Sequence, residues 1–190
     1  MERSADFSQE GLERCREYLR LLARLQLDTR LHGKVDPSDL VQQTLLSAYE
    51  KRDQYRGATE AEFLGWLRQI LANHLAGTLR RFGAGLRDIR RERSLDASLE
   101  ESAARLDAWL AAEQSSPSQR AMKDELHLRL ARALRQLPED QRQAIELHHL
   151  KDCTVAEVAQ EIGRSKMAVV GLLFRGLKKL RQLLEEPSIE

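Results

Sequence analysis

Apolar residues recur every three or four positions along most of the chain, which is the spacing of one buried face of an α-helix. The first such stripe, set among Arg and Glu, predicts a helix from about Gln9 to Leu31 after a loose start over residues 1–8. Gly33 ends this helix, and its apolar positions are Leu12, Cys15, Leu19, Leu22 and Leu25. No clear alternating strand pattern is present, so the pattern predicts an all-α protein.

Two further helices are predicted from the residues that open them. Asp36 is a candidate N-cap and Pro37 suits the first helical position, so a helix begins here and ends near Tyr55. Its stripe contains Leu40, Val41, Thr44, Leu45, Ala48 and Tyr49. Thr59 and Glu62 have the spacing of a capping box, which opens the next helix. That helix carries, up to about Phe82, the residues Phe63, Trp66, Leu67, Ile70, Leu71, His74 and Leu75.

The last third of the chain predicts several helices in close succession. A helix from Ser118 carries Met122, Leu126, Leu130, Ala133, Leu134 and Leu137. Pro138 then fits the first turn of a helix that runs to about Leu150, and residues 151–153 turn the chain.

A helix-turn-helix is predicted after that turn. Thr154 and Glu157 form a second capping box, and Gly163 suits the left-handed position that ends a short helix. Ser165 can cap a longer helix, whose stripe is Val170, Leu173, Leu177, Leu180 and Leu184. A short helix, a turn with glycine and a longer basic helix are typical of a DNA-binding helix-turn-helix.

These helices group into two small domains, residues 1–93 and 118–190, joined by a flexible linker over residues 94–117. The linker is acidic, because residues 94–120 contain five acids and two bases. An alternative for part of this range is a short helix that docks on a partner through Leu106, Trp109 and Leu110.

Composition agrees with helices, because only four of the 190 residues are Pro and ten are Gly. The net charge of +1 says little about partners, but the charge is unevenly distributed. From Arg164 to Arg181 there are six bases and no acid, which suits the phosphate backbone of DNA. The alternative for such a run is a solvated helix face.

A second basic stretch lies between Leu64 and Arg93. Two acids there, Asp88 and Glu92, oppose seven arginines: Arg68, Arg80, Arg81, Arg87, Arg90, Arg91 and Arg93. The stretch is either a second nucleic-acid surface or a set of arginines that complements a helix C-terminus.

Other functional classes have little support in the sequence. Cys15 and Cys153 form no metal-type pair, and a reduced, cytoplasmic setting is the simplest interpretation. No apolar run is long enough to cross a membrane, and the start lacks a signal-peptide core. His148 and His149 are adjacent and point about 100° apart on a helix, whereas zinc needs three or four convergent ligands. The sequence therefore predicts no catalytic site, metal or cofactor.

Two long stretches, Asp36 to Phe82 and Ser118 to Leu184, resemble in order and spacing the two domains of a bacterial RNA polymerase sigma factor of the extracytoplasmic-function (ECF) group. The segment DLVQQTLLSAY, from Asp39 to Tyr49, is similar to the family's second region, whose helix binds the clamp helices of the polymerase β′ subunit. The resemblance implies that the polymerase-binding residues are Asp39, Gln42, Gln43 and Ser47.

The resemblance also implies a site for the promoter −10 element. Residues 55–57 with 63–67 look like the loop and helix that capture this element, and residues 68–82 look like the helix that separates the strands. The implied residues are Tyr55, Arg56, Phe63, Trp66, Arg68, Asn73, Arg80 and Arg81. The amide of Asn73 can hydrogen-bond a base edge, and the three aromatic residues are candidate walls of a base pocket. Core packing is the alternative for Phe63 and Trp66.

Residues 137–139 and the helix-turn-helix after them resemble the family's fourth region, which reads the −35 element and contacts the β flap. The implied −35 residues are Ser165, Lys166, Met167, Ala168, Gly171, Leu172, Arg175, Lys178 and Lys179. Gln43 stands where the family usually has an acid, and residues 170–172 stand where basic or polar side chains are frequent. The −35 contact is therefore expected to depend more on Lys166, Arg175, phosphates and DNA shape.

The chain is thus predicted to be an alternative sigma factor, which binds core RNA polymerase and directs it to promoter DNA without catalysing RNA synthesis. An anti-sigma factor is a further candidate partner. One alternative is a helix-turn-helix repressor or activator that binds duplex DNA without polymerase. Another is an enzyme that uses His148 and His149, which predicts a bound metal.

Overall fold

The computed structural model describes residues 6–27, 35–81, 97–106, 108 and 123–185. The chain forms two compact units, Met1–Ala104 and Arg105–Glu190, and the boundary between them lies inside the range predicted as a linker. All regular structure in the described residues is helical, which confirms the all-α prediction.

Helix α1 (Gln9–Gln26) packs against both of the other long helices of unit 1. Ser8 caps it by accepting a hydrogen bond from the Gly11 N–H at 3.1 Å. Every residue of the predicted stripe is buried. The predicted end at Leu31 was wrong, because Leu27 already has an extended backbone. Leu27 is completely buried, so the chain leaves the helix with this side chain in the core.

Helix α2 (Pro37–Glu50) begins as its opening residues predict, with the Asp36 carboxylate accepting the Ser38 N–H at 2.8 Å. The residues that were predicted correctly to be buried are Leu40, Val41, Thr44, Leu45 and Ala48. The same prediction was wrong for Tyr49, which is 50% exposed. The Arg52 guanidinium lies 4.6 Å from the centre of the Tyr49 ring, so this tyrosine makes a surface cation–π contact instead of a core contact.

Helix α3 (Glu60–Arg81) follows a 3₁₀ turn (Arg52–Gln54) and packs against α1 and α2. Its predicted capping box is present: the Glu62 N–H donates to Thr59 Oγ1 at 3.2 Å, and Glu62 Oε2 accepts the Thr59 N–H at 3.0 Å. The core side of α3 contains Phe63, Leu64, Leu67, Ile70, Leu71 and Leu75. Two members of its predicted stripe, Trp66 and His74, are only half-buried.

Residues 97–106 are helical (α4), although they lie in the range predicted as a linker. The Gln26 side chain binds this helix to α1: its amide nitrogen donates to the Ser98 carbonyl at 3.1 Å and to Ser102 Oγ at 2.9 Å. Leu99 is completely buried. Residues 97–106 thus form a short helix that packs on α1, whereas the alternative prediction named a helix that docks on a partner and shares only Leu106 with it. The other two residues named for it, Trp109 and Leu110, lie outside the described residues.

The described part of unit 2 contains α5 (Lys123–Arg135), α6 (Glu139–Ile145), α7 (Val155–Glu161) and α8 (Lys166–Glu185). Pro138 directly precedes α6, and one π-helical turn (Glu146–Leu150) extends the helix to its predicted end. α8 packs against α5, α6 and α7. The stripe predicted for α5 is buried at Leu126, Leu130, Ala133, Leu134 and Leu137.

The turns around α7 follow their local chemistry. The Glu157 N–H donates to Thr154 Oγ1 at 3.3 Å, and Glu157 Oε2 accepts the Thr154 N–H at 2.7 Å, which confirms the second capping box. Gly163 has φ = 65°, so it occupies the predicted left-handed position. Before α7, Asp152 has φ = 56°, a conformation that Asp tolerates better than most residues.

The prediction for the buried side of helix α8 was correct at Leu173 and Leu180 and missed Val169 and Gly176. Its buried residues are Val169, Leu173, Gly176 and Leu180. The prediction was wrong for Val170, which is 52% exposed. A Cβ at Gly176 would lie 2.9 Å from Ile145 Cδ1 and 3.3 Å from Gln141 Cβ, so this glycine lets α6 and α8 approach closely. The predicted stripe contained only residues with apolar side chains, so it left out Gly176, which lies on the buried side.

Candidate nucleic-acid and polymerase interfaces

The outward side of the helix-turn-helix begins at Ser165. Its Oγ accepts a hydrogen bond from the Ala168 N–H at 3.2 Å and so caps α8, as predicted. The exposed members of the predicted −35 set are Ser165, Lys166, Met167, Ala168, Arg175, Lys178 and Lys179. The other two, Gly171 and Leu172, are half-buried.

The side of α8 opposite the buried Val169 presents apolar side chains to solvent. At about 100° per residue, this side contains Met167, Gly171, Phe174 and Lys178. Met167 is 82% exposed and Phe174 is 70% exposed. Sequence reasoning missed Phe174, although its spacing of seven from Met167 places both residues on one side of a helix.

Basic charge surrounds this apolar side. There is no acid from Arg164 to Leu184. Arg164 itself is paired with Asp140, with 2.8 Å between Nη2 and Oδ2. The exposed bases on α8 are Lys166, Arg175, Lys178, Lys179 and Arg181. The Arg175 guanidinium lies near the open space left by Gly171, where a Cβ would be 3.2 Å from Nη1.

A second candidate interface follows one side of α3. Trp66, Asn73 and Arg80 recur at intervals of seven residues and therefore share this side. Asn73 and Arg80 are exposed, and Trp66 is half-buried. With a rise of about 1.5 Å per residue, the three span about 21 Å along the helix. The side thus offers an aromatic ring, an amide and a guanidinium in order.

Four aromatic rings cluster at the start of α3. Phe63 and Trp66 belong to α3, Tyr55 precedes it, and Phe7 precedes α1. The ring centroids of Tyr55 and Trp66 are 5.2 Å apart, and those of Phe7 and Phe63 are 5.1 Å apart. Phe63 is only 3% exposed, which agrees with the core-packing alternative for this residue. Tyr55 and Trp66 remain half-buried, so parts of both rings face solvent.

Phe7 lies in the range predicted to be a loose start, and that prediction was wrong for residues 6–8. The sequence signal was a hydrophobic staple: Phe7 directly precedes the N-cap Ser8, and Leu12 occupies the fourth helical position. A candidate base pocket formed by Tyr55 and Trp66 therefore has a third ring beside it.

The loop that carries Tyr55 is held by its own hydrogen bonds. The Tyr55 hydroxyl donates to the Thr59 carbonyl at 3.3 Å, and its ring covers Gly57, where a Cβ would overlap the ring. Burial, and to a smaller extent the charge of Glu62, raises the pKa of Tyr55, so the hydroxyl stays protonated at neutral pH. Arg56 is exposed and donates to backbone carbonyls of the preceding turn.

The outward side of α2 combines polar and apolar residues. Asp39, Gln42 and Gln43, all in the predicted polymerase set, are exposed. Leu46 is 58% exposed and Tyr49 is 50% exposed on the same helix. Neither residue was predicted to be at an interface, and Tyr49 was assigned to the core because an apolar residue on an amphipathic helix normally lies there.

Ser47, the fourth residue of the predicted polymerase set, contacts α3. Its Oγ lies 3.1 Å from His74 Nε2. Burial lowers the pKa of His74, and the charges of Lys51 and Arg81 lower it further. The imidazole is therefore neutral at physiological pH, and the Ser47–His74 contact joins α2 to α3.

Comparisons with known proteins cover both units. The family model described as Sigma-70 region 2 matches residues 15–83, and the model described as Sigma-70, region 4 matches residues 127–180. The chain is 30% identical over 192 residues to the RNA polymerase sigma factor CarQ of Myxococcus xanthus, with 100% of this chain and 98% of CarQ covered. It is also 30% identical over 145 residues to the ECF RNA polymerase sigma-E factor of Escherichia coli (strain K12), covering 70% of this chain and 72% of that protein. The chain belongs to the ECF sigma factors.

This sigma factor also has a similar solved structure. The sigma factor RpoE of Bartonella quintana, in complex with the anti-sigma factor NepR, is 22% identical, with 95% of this chain and 97% of that chain covered and a TM-score of 0.33.

Membership of the family confirms the predicted function. An alternative sigma factor directs transcription initiation, with core RNA polymerase and promoter DNA as its partners. Region 2 covers the last two thirds of α1 and the whole of α2 and α3, and region 4 covers most of α5, all of α6 and α7, and most of α8. A simple helix-turn-helix regulator would not account for the region 2 match in unit 1.

Arg68 of the sigma factor, predicted to contact −10 DNA, makes contacts inside unit 1. Its Nε donates to Glu100 Oε1 at 2.8 Å, and its Nη1 donates to the Tyr18 hydroxyl at 3.1 Å. Only 13% of the Arg68 side chain is exposed. The guanidinium thus lies within the fold, whereas Arg80 and Arg81 lie at the exposed end of α3. The further arginines at positions 87, 90, 91 and 93 lie outside the described residues.

The histidines of the sigma factor's α6 extension have structural contacts. His148 Nδ1 lies 2.7 Å from the Cys153 carbonyl oxygen, across the turn before α7. The ring centroids of His148 and His149 are 4.7 Å apart, although the side chains of adjacent helical residues were expected to point about 100° apart. Burial raises the pKa of the Cys153 thiol. Within the described ranges, no three His, Cys, Asp or Glu side chains are grouped as metal ligands, and no helix could span a membrane.

Proposed function

We propose that three outward helix sides divide the work of initiation: α2 binds core polymerase, α3 captures the −10 element and α8 reads the −35 element. The observation that carries this assignment is the outward side of α8. Met167, Phe174 and Arg175 are exposed there, on a stretch without acid. The major groove of duplex DNA admits a helix of this kind, and the phosphates on both sides of the groove can pair with its basic side chains.

The chemistry of the α3 side suits a single DNA strand. Tyr55 and Trp66 supply ring surface for stacking a base, which is how strands are held without pairing. Asn73 can exchange hydrogen bonds with a base edge, and Arg80 supplies charge for a phosphate. Arg68 is assigned to the fold and not to this interface. The other exposed arginines of the predicted set are Arg56 and Arg81.

The α2 side suits a protein partner. Leu46 and Tyr49 provide exposed apolar area, and Asp39, Gln42 and Gln43 surround it with polar groups. A specific interface usually has such an apolar centre and polar rim. Ser47 takes a positioning role through its contact with His74, and its direct contact with the β′ clamp helices stays a prediction.

Two modest DNA contacts on one chain reinforce each other once polymerase holds both units at a promoter, because the second contact becomes intramolecular. The sigma factor alone is therefore expected to bind duplex DNA weakly. Contact of unit 2 with the β flap and an anti-sigma partner both stay predictions for this chain.

Run-off transcription tests the proposal. The full chain, core RNA polymerase, and the two together are each supplied with a library of promoter fragments. Discrete products are expected only when both proteins are present, and the chain alone should retain little duplex DNA. Tight duplex binding by the chain alone, without run-off products in the combined reaction, would contradict the proposal and favour the helix-turn-helix regulator.

The polymerase surface has its own test. Leu46→Asp is expected to lower core polymerase binding at least tenfold, because it places a charge in the apolar centre of the interface. Ala61→Asp, which changes another exposed residue in the first turn of α3, is the control and should bind normally. Normal binding by both variants would place the polymerase surface elsewhere.

A further inference from the structure

Three of the large apolar side chains that are exposed in the described residues lie on one helix, α8. They are Met167, Val170 and Phe174, with exposures of 82%, 52% and 70%. Val169 and Leu173, their neighbours along the chain, are buried. The stripe formed by Met167, Val170 and Phe174, here the α8 apolar stripe, is therefore separate from the core of unit 2.

Gly171 lies inside the α8 apolar stripe. It follows Met167 by four positions and precedes Phe174 by three, so it shares their side of the helix. The long Arg175 side chain lies over this glycine, with its Nη1 3.2 Å from where a Cβ would be, so a partner reaches the backbone once the guanidinium turns aside to a phosphate. A glycine in the interior of an exposed helix is unfavourable for helix formation, so its placement fits a surface that must admit another molecule.

The charge around the α8 apolar stripe favours a polyanion as that molecule. Lys166, Arg175 and Lys178 are exposed beside it, and no acid occurs between Arg164 and Leu184. The stripe itself offers no hydrogen-bonding side chain for a base edge. In the major groove, the apolar group that a base presents is the C5-methyl group of thymine.

We propose that Met167, Val170 and Phe174 read thymine methyl groups in the −35 element, while Gly171 lets the helix lie close to the base edges. This inference rests on the proposed placement of α8 in the −35 major groove. Met167 and Phe174 are seven residues apart, or about 10 Å along the helix. With base pairs about 3.4 Å apart, the stripe spans about three steps. The preferred −35 element therefore contains a short run of A·T pairs under this part of α8.

The test replaces single thymines by deoxyuridine, which lacks the C5-methyl group and keeps the pairing edge. The probe is a promoter fragment that gives run-off products with the holoenzyme, meaning core polymerase plus the full chain. Deoxyuridine at a contacted position is expected to lower holoenzyme affinity about fourfold, the value of one buried methyl-sized group. Deoxyuridine upstream of the −35 element is the control and should have no effect.

Variants show which side chains detect the methyl group. Phe174→Ala and Met167→Ala should bind thymine and deoxyuridine fragments equally, because the contact that distinguishes them is gone. Arg175→Ala should bind both fragments more weakly and still prefer thymine. Thermal unfolding of each variant checks that unit 2 remains folded, which is expected because the replaced side chains are exposed.

Two outcomes would overturn the inference and leave the proposed function intact. One is a wild-type holoenzyme that transcribes the promoter but does not distinguish thymine from deoxyuridine anywhere in the −35 element. The other is a pair of stripe variants that lose activity while still preferring thymine, which would assign the stripe to a protein partner. Failure of run-off transcription with every wild-type fragment would instead remove the proposed function itself.

Discussion

Arg68 and Glu100 form a two-point ion pair that joins α3 to α4, with 2.8 Å between Nε and Oε1 and 3.2 Å between Nη2 and Oε2. The same guanidinium donates to the Tyr18 hydroxyl on α1. One side chain thus links three helices of unit 1. The contact of Arg68 with −10 DNA stays a prediction beside these contacts within the fold.

The first prediction concerns this link. Arg68→Ala should lower the free energy of unfolding by about 1–3 kcal/mol, since a mostly buried, charge-assisted group is lost. Glu100→Ala should cost less than Arg68→Ala, because the Glu100 side chain is 54% exposed and Arg68 keeps its hydrogen bond to the Tyr18 hydroxyl. Urea unfolding of the full chain measures both values. Unchanged stability in Arg68→Ala, together with loss of run-off transcription, would return this arginine to the DNA interface.

The second prediction concerns −35 binding. Arg175→Ala should weaken −35-dependent transcription and lower the salt slope of holoenzyme binding by about one, as expected when one phosphate contact is lost. Affinity for a −35 fragment at several salt concentrations measures the slope. Arg135→Ala, which removes an exposed arginine at the end of α5, serves as the control. Equal loss of slope in both variants would mean that net charge, and not the α8 side, determines binding.

The third prediction separates strand opening from duplex binding. Asn73→Ala should leave holoenzyme binding to duplex promoter nearly unchanged and lower open-complex formation, because the lost amide acts on an unpaired base. Permanganate reactivity of unpaired thymines near the start site measures opening. Gln136→Ala, which removes an exposed amide in unit 2, is the matched control. If Asn73→Ala and Arg175→Ala failed at the same step, the division between α3 and α8 would be wrong.

The fourth prediction follows from His74. Its pKa is lowered in the fold from an ordinary value of 6.5, so the unfolded chain binds the proton more readily. The contribution of His74 to the free energy of unfolding is therefore fully present above about pH 6.5. It is lost as the pH falls below this value, until the folded histidine is also protonated. Proton NMR titration of the imidazole should give a midpoint below 6.5, and urea unfolding between about pH 7.5 and pH 5.5 should show the loss. His74→Gln should reduce that slope, and a midpoint at or above 6.5 would contradict the assignment.

Local chemistry was the part of the fold that could be predicted well from the sequence. The Thr154–Glu157 capping box, the left-handed Gly163 and the Asp36 cap each depend on residues within a few positions of one another. Such signals do not need the rest of the chain. The core side of α1 was also predicted correctly, because its stripe has no competing apolar residue on the exposed side.

Long-range contacts explain what could not be predicted. The pairing of Arg68 with Glu100 spans 32 positions, and no local pattern shows it. Tyr49 and Val170 were assigned to the core because an apolar residue normally lies there, whereas both are exposed. In α8 the error had a definite cause: Gly176 belongs to the buried side and Phe174 to the exposed side, the reverse of what hydrophobicity alone indicates.

Gly176 lets α8 pack closely against α6, and this packing separates the scaffold of α8 from its outward side. The residues that hold the helix in place, Val169, Leu173, Gly176 and Leu180, are distinct from those on its outward side. Side chains at positions 167, 170 and 174 can therefore be exchanged while the scaffold keeps its docking angle. On the proposed placement of α8 in the −35 major groove, such exchanges would give factors that share one fold and recognise different promoters.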